Sequence, residues 1–214
     1  MSGASTRRQL IDAATRSFAE RGVFAASLID ITRQARQRNR AAVHYHFGSR
    51  TGVLCAVLEE HVAFLARREG ELLEIALAAP DDDLPSAVAA FVRPAAELAE
   101  SGWRGRCFLL ILAELVDEDP ASLGDEVNAV LAKTGGYAVY ALLEKRMGRV
   151  PEDVRVERLS LATGFILRAV ADRARALGPR RRSARPQLDH EAFVANLVAM
   201  VAAALSAPPP GALT

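Results

Sequence analysis

A chain of 214 residues, half of them hydrophobic and a quarter charged, has room for one sizeable domain or for a small one joined to a larger one. Ala and Leu dominate while β-branched and aromatic residues are sparse, which argues against a β-rich fold and predicts an all-helical one. The net charge of +1 conceals an asymmetry: residues 1–50 hold nine arginines against three acidic side chains, a balance of +6, whereas the other 164 residues carry 18 basic and 23 acidic groups, a balance of −5.

In chain order, residues 6–21 place Leu10, Ala14 and Phe18 on one helical face, and Gly22 offers a left-handed stop. Ser27-Leu28-Ile29-Asp30 has the spacing of a capping box and opens a short helix holding Ile31 and Ala35. A third short helix is expected over residues 39–46, with Asn39 as its cap. Three short helices within fifty residues, the last two closely joined, make a helix-turn-helix layout. Ser49 then caps a long helix whose inward positions are Leu54, Val57, Leu58, Leu65, Leu72 and Ile75, ending before Pro80-Asp81-Asp82-Asp83. Further helices are predicted over 84–101, 107–118, 123–147, 152–177 and 189–206, punctuated by Gly102, Asp119-Pro120, Gly148 with Pro151, and Gly178-Pro179. The run from Arg180 to Pro186 reads as a basic loop, and Pro208-Pro209-Pro210 closes a tail with nothing to bury.

A basic head before an acidic body points to a polyanion partner at the N-terminus. The strings Thr6-Arg7-Arg8-Gln9-Leu10-Ile11-Asp12-Ala13-Ala14, Phe18-Ala19-Glu20-Arg21-Gly22, Ser27 through Ile31, and Tyr45-His46-Phe47-Gly48-Ser49-Arg50 follow one another with characteristic spacing. Over about the first 55 residues, in these four segments, the chain resembles the tetracycline-repressor (TetR) family of bacterial transcription regulators. The resemblance implies a helix-turn-helix DNA-binding domain over 1–50 and a helical ligand-binding and dimerisation domain over 51–214. It also implies a homodimer on a palindromic DNA operator, with repression relieved by a small-molecule effector. Within the third helix, Arg38, Asn39, Arg40 and His44 are the candidates for base edges in the major groove, where Arg pairs with guanine and Asn with adenine. Tyr45, Ser49 and Arg50 are candidates for phosphates, joined by Thr6, Arg7 and Ser27. The chain departs from the family at the turn. Where an Ala-Gly-hydrophobic-Ser/Thr stretch is usual, it reads Ala35-Arg36-Gln37-Arg38-Asn39-Arg40, without the glycine and one residue longer. A positive φ there falls on a residue with a Cβ.

In the body, a helical bundle can leave an apolar cavity with a few polar groups. Candidate lining residues are Phe64, Phe91, Trp103, Cys107, Phe108, Leu110, Ile111, Tyr137, Tyr140 and Phe165, with Glu114 and Arg168 as polar contacts. Simple core packing, or an ion pair for Glu114 and Arg168, is the plainer account of each. Leu159, Ala162, Thr163, Ile166 and Val170 stripe one long helix, and Phe193, Leu197, Val201 and Ala204 stripe the last. These are the candidate dimer surface, with packing inside the chain as the competing account.

Cys55 and Cys107 have no close-spaced partners, so neither a disulfide framework nor a zinc site is expected, and a reducing cytoplasm is the expected location. His44 and His46 are two apart and His61 and His190 are isolated, so no metal is called for. The apolar runs 107–113 and 197–205 are too short to span a bilayer. No nucleophile elbow, phosphate-binding glycine loop or dinucleotide fingerprint is present, so neither an enzyme nor a cofactor is expected. An all-helical enzyme and a helical protein-interaction module that has lost operator specificity are the two alternatives. Salt-dependent binding to duplex DNA separates both from a regulator.

Overall fold

The computed structural model describes residues 3–37, 41–178 and 186–209. Among them eleven helices follow one another: α1 (Gly3–Arg21), α2 (Leu28–Gln34), α3 (Ala42–Phe47), α4 (Arg50–Leu77), α5 (Leu84–Glu100), α6 (Trp103–Leu115), α7 (Pro120–Leu123), α8 (Asp125–Leu131), α9 (Gly136–Arg146), α10 (Glu152–Ala176) and α11 (His190–Leu205).

Short polar side chains set the starts. Ser27 accepts from Asp30 N, Ser49 from Gly52 N, Asp83 from Ser86 N and Asp189 from Ala192 N, each satisfying a backbone donor that the first turn leaves orphaned. Gly22, at φ 91°, ends α1. The turn after α2 places Arg36 at φ 55°, the left-handed conformation that a glycine would adopt without strain. Helix α3 is shorter than expected and starts at Ala42, with Ala41 at its N-cap making no side-chain cap bond; the expected cap Asn39 lies outside the described residues.

The segment expected as one helix over 123–147 is broken instead. Helix α8 stops at Leu131, and Gly135-Gly136 opens α9. Two successive glycines weaken a helix by about 1 kcal/mol each. A Cβ on Gly135 would also stand 2.9 Å from Glu69 Cβ, so the bare backbone is what allows α9 to approach α4. The buried Arg146 near the end of α9 donates to Asp83 O, Ser86 Oγ, Ala76 O and Ala79 O, stapling the α4–α5 connection.

Leu10, Ala14, Phe18, Ile31 and Val43 form the interior of the head, and α4 leads from it into the body, where α5 packs against α4, α6, α9, α10 and α11. Helices α10 and α11 run antiparallel. Arg158, early in α10, donates to Leu205 O and Ala207 O, while Arg173, late in α10, donates to Leu188 O. Of the stripes expected to form a dimer surface, Leu159, Ile166, Val170, Leu197 and Val201 are buried within the chain, and Ala162 and Phe193 pack against the same core. Ala204 is exposed. The large apolar groups that these helices turn outward are Val156, Leu161, Phe165 and Met200, at 53%, 64%, 44% and 49% exposure. Ile75, expected inward on α4, is also exposed, because the apolar stripe drifts around a 28-residue helix.

Candidate functional site

The head presents its polar groups around α3 and the start of α4. His44, Tyr45 and Ser49 are exposed there, and His44 Nδ1 donates to Gly48 O across 2.9 Å. Arg7, exposed near the start of α1, lays its guanidinium 5.2 Å from the Phe47 ring centroid, which brings that end of α1 to the end of α3. Thr6 is half-buried beside it. Ser27 and Ser49 use their hydroxyls as helix caps, and both remain at the surface or close to it. Arg50 Nη1 donates to Val23 O, so this side chain ties the start of α4 to the α1–α2 turn. Arg38, Asn39 and Arg40 lie outside the described residues.

In the body, α4, α5, α6, α9 and α10 enclose a cavity of about 360 Å³. Its wall is almost entirely apolar: Leu65 from α4, Phe91 and Ala95 from α5, Phe108, Leu109 and Leu112 from α6, Leu131 and Thr134 at the broken segment, Gly136, Tyr137 and Tyr140 from α9, and Thr163 and Leu167 from α10. Tyr137 is largely solvent-exposed and marks the mouth.

One acid belongs to this wall. Glu69 on α4 is 5% exposed, and its Oε2 is buried without a hydrogen-bond partner. Burial pushes its carboxyl up to about 7, while a backbone hydrogen bond from Gly135 pulls the other way.

Of the expected lining residues, Phe91, Phe108, Tyr137 and Tyr140 reach the cavity, and Thr163, expected at a dimer surface, joins them. The others lie outside this wall. Phe64 is half-buried beside the Arg67 guanidinium. Trp103 lies 3.7 Å from Arg16 and 4.7 Å from Arg104, ring centroid to guanidinium carbon, at the junction of head and body. Cys107 feels Arg16 and Glu20 at the same junction, and burial pushes its thiol up. Leu110 packs in a small cluster with Ala113, Leu167 and Ala171, and Ile111 is fully buried in the main core. Phe165 faces solvent, and Arg168 makes a surface ion pair with Asp117 at 2.5 Å.

Glu114 does not point to the cavity either. Both its oxygens accept from Val23 N, at 2.9 and 3.0 Å, at the α1–α2 turn. At the other end of α6, Arg104 forks onto Asp12 at 2.9 and 2.7 Å. Helices α1 and α6 therefore run side by side in the same direction, pinned at both ends, and α6 supplies three residues of the cavity wall between the pins.

Sequence reasoning missed Leu65, Glu69, Ala95, Leu109, Leu112, Leu131, Thr134, Gly136 and Leu167 in the wall. Glu69 had a signal: it falls four residues after Leu65 and three before Leu72, a charge set into an apolar stripe. No described helix is long and apolar enough to cross a membrane.

Known proteins resemble this architecture over most of its length. FadR from Bacillus subtilis, solved with stearoyl-CoA, superposes with a TM-score of 0.58 at 17% identity, covering 92% of this chain and 98% of that one. AibR, solved in complex with isovaleryl coenzyme A and operator DNA, gives 0.56 at 16% identity over 91% and 97%. PfmR, a TetR family transcriptional regulator from Thermus thermophilus, gives 0.54 at 18% over 90% and 96%. Such identities are a likeness of fold. Among curated proteins there is no match. Two family models match the sequence: the bacterial regulatory proteins of the tetR family over residues 10–57, and the tetracyclin repressor-like C-terminal domain over residues 89–204. With a DNA-binding helix-turn-helix head and the helical C-terminal domain that goes with it, the chain belongs to the TetR family of transcription regulators.

Proposed function

We propose that this regulator is a homodimeric repressor that leaves a palindromic operator when a small, largely apolar effector fills the cavity walled by α4, α5, α6, α9 and α10. The observation that carries the reading is the double role of α6. Phe108, Leu109 and Leu112 line the cavity, while Arg104 and Glu114 on the same helix hold Asp12 and Val23 of the head. An effector that prefers one position of α6 shifts the population toward the head orientation coupled to it, and weakens DNA binding by its differential affinity for the two states.

In this reading residues 1–50 form the DNA-binding domain and 51–214 the effector and dimerisation domain. Arg38, Asn39, Arg40 and His44 read bases, and Tyr45, Ser49, Thr6, Arg7 and Ser27 contact phosphates. Arg50 supports the turn through Val23 O, and its remaining guanidinium donors serve the phosphate side. The dimer forms through the outward faces of α10 and α11, where Leu161, Phe165 and Met200 are exposed. Regulators of this family are generally DNA-binding proteins rather than enzymes, and the same holds in this reading. AibR, with both a coenzyme A ester and operator DNA bound, is a precedent for the pairing of ligand and DNA in this fold.

The test is binding of the full chain to fluorescent duplex from upstream of its own gene, against a scrambled duplex, over a salt series. The expected result is a sequence preference, two protomers on the site, and an affinity that falls steeply with salt as phosphate counterions are released. A screen of small apolar compounds then looks for release from that duplex. Absence of binding even at low salt removes the DNA-binding role, and operator affinity unchanged across a broad screen removes the effector switch.

A further inference from the structure

Glu69 stands where an apolar residue would pack better. It sits in the inward stripe of α4 between Leu65 and Leu72, its Oε2 has no partner, and no basic side chain lines the cavity among the described residues. An acceptor orphaned in apolar surroundings loses hydration and gains nothing in return, and folded interiors rarely keep one without a use. The space it faces is shaped for an aromatic-lined contact. A Cβ on Gly136 would meet Phe91 Cε2 at 3.5 Å and Glu69 Oε2 at 3.9 Å, so the missing side chain leaves ring and carboxyl bordering one shared volume. Tyr140 and Phe108 add two more rings to the wall.

We infer that the effector is a largely apolar organic amine, whose protonated nitrogen pairs with the Glu69 carboxylate beside the rings of Phe91 and Tyr140. Aromatic faces attract a cation, and a carboxylate hydrogen bond to an ammonium is stronger than one to a neutral donor. A cavity of about 360 Å³ accommodates one ring and a short alkyl chain. A carboxylate or phosphate in the same place meets repulsion from Glu69, and an alcohol satisfies Oε2 without any gain from charge. Burial raises the proton affinity of Glu69, so an arriving ammonium displaces that proton to solvent and leaves an ion pair.

This assignment rests on the reading of the cavity as the effector site, and calorimetry on the full chain separates the two. The probes are phenylbutylamine, phenylbutanol and phenylbutyrate, titrated at about pH 8, where Glu69 is ionised. The amine is expected to bind at least about tenfold more tightly than the alcohol. In Glu69→Gln that gap closes while the alcohol keeps its affinity, and helical circular dichroism with an undiminished melting temperature shows that the variant is folded. Equal binding of amine and alcohol, survival of the amine preference in Glu69→Gln, or no amine binding up to about 1 mM each overturns the assignment. Alcohol or butyrate that binds as well as the amine and is blocked by Phe91→Trp sinks the amine and leaves the effector cavity standing. The cavity reading itself falls when Phe91→Trp changes none of the three affinities.

Discussion

Raising the pH through neutrality should destabilise this protein at one residue in particular. The Glu69 carboxyl is pushed up to about 7 in the folded chain, from an ordinary value of 4.5, because its charge would be buried with only a backbone N–H from Gly135 to meet it. A carboxyl with a raised folded value binds more protons when folded than when unfolded throughout the window between the two values. Its contribution to stability is therefore complete below about pH 4.5 and is lost as the pH rises through 7. The gap corresponds to about 3 kcal/mol at ~1.4 kcal/mol per pH unit. For a chain of this length that is a fall of about 8 °C in melting temperature. Other groups titrate in the same range, so the clean measurement is the difference between wild type and Glu69→Gln, whose amide stays neutral and has nearly the same shape. The two should melt alike at about pH 4, and the variant should be more stable by about 3 kcal/mol at about pH 8.5. The other titratable groups in the cavity wall are the phenols of Tyr137 and Tyr140, and burial pushes that of Tyr140 up, away from this window. A difference that stays flat with pH would refute the burial argument for Glu69.

Three further outcomes follow from the geometry. Arg36→Gly should stabilise the chain by about 1 kcal/mol in urea unfolding, since a left-handed φ of 55° costs less without a Cβ; a β-branched residue there should cost more than arginine does. Glu114→Ala leaves the buried Val23 N–H without its acceptor, so stability should drop by about 1–3 kcal/mol and hydrogen exchange at the Val23 amide should speed up well beyond its neighbours in α1. Phe165→Arg puts a charge on the outward face of α10; sedimentation should show a monomer where the wild type is dimeric, with weakened DNA binding and no change in melting beyond that due to dissociation.

The head was largely legible in the sequence because local chemistry decides it. Ser27, Ser49 and Gly22 each act through bonds or angles within a few residues, and those signals survive any tertiary arrangement. The body was legible as helices and poorly legible as a site. Apolar periodicity says that Leu159, Ile166 and Val201 face something, and it cannot distinguish a neighbouring helix of the same chain from a second copy. The cavity depends on an absence, the break between α8 and α9. Gly135-Gly136 is the local signal for that break, and the helical apolar pattern on either side runs past it. Once the break is in place, Leu131, Thr134 and Tyr137 come to line a space that a continuous helix would have filled.

The same geometry bears on how a signal crosses the molecule. Helix α4 is one candidate lever, since it runs from the head into the body and carries Leu65 and Glu69 of the wall. Between Glu69 and the cap at Ser49, however, lie about 30 Å of helix, long enough to bend and dissipate a small displacement. Helix α6 offers a shorter route. Leu112 and Glu114 are two residues apart, and Phe108 and Arg104 are four apart, which is about 3 Å and 6 Å along the axis. One pin grips α1 at Asp12 and the other grips the α1–α2 turn at Val23, so a shift of α6 moves the head as a body. Proximity alone is not coupling. The distinction is that Glu114 can be removed without touching the cavity or the DNA surface. Loss of effector response in Glu114→Ala, with both affinities intact, would place the lever in α6, and a full response would return it to α4.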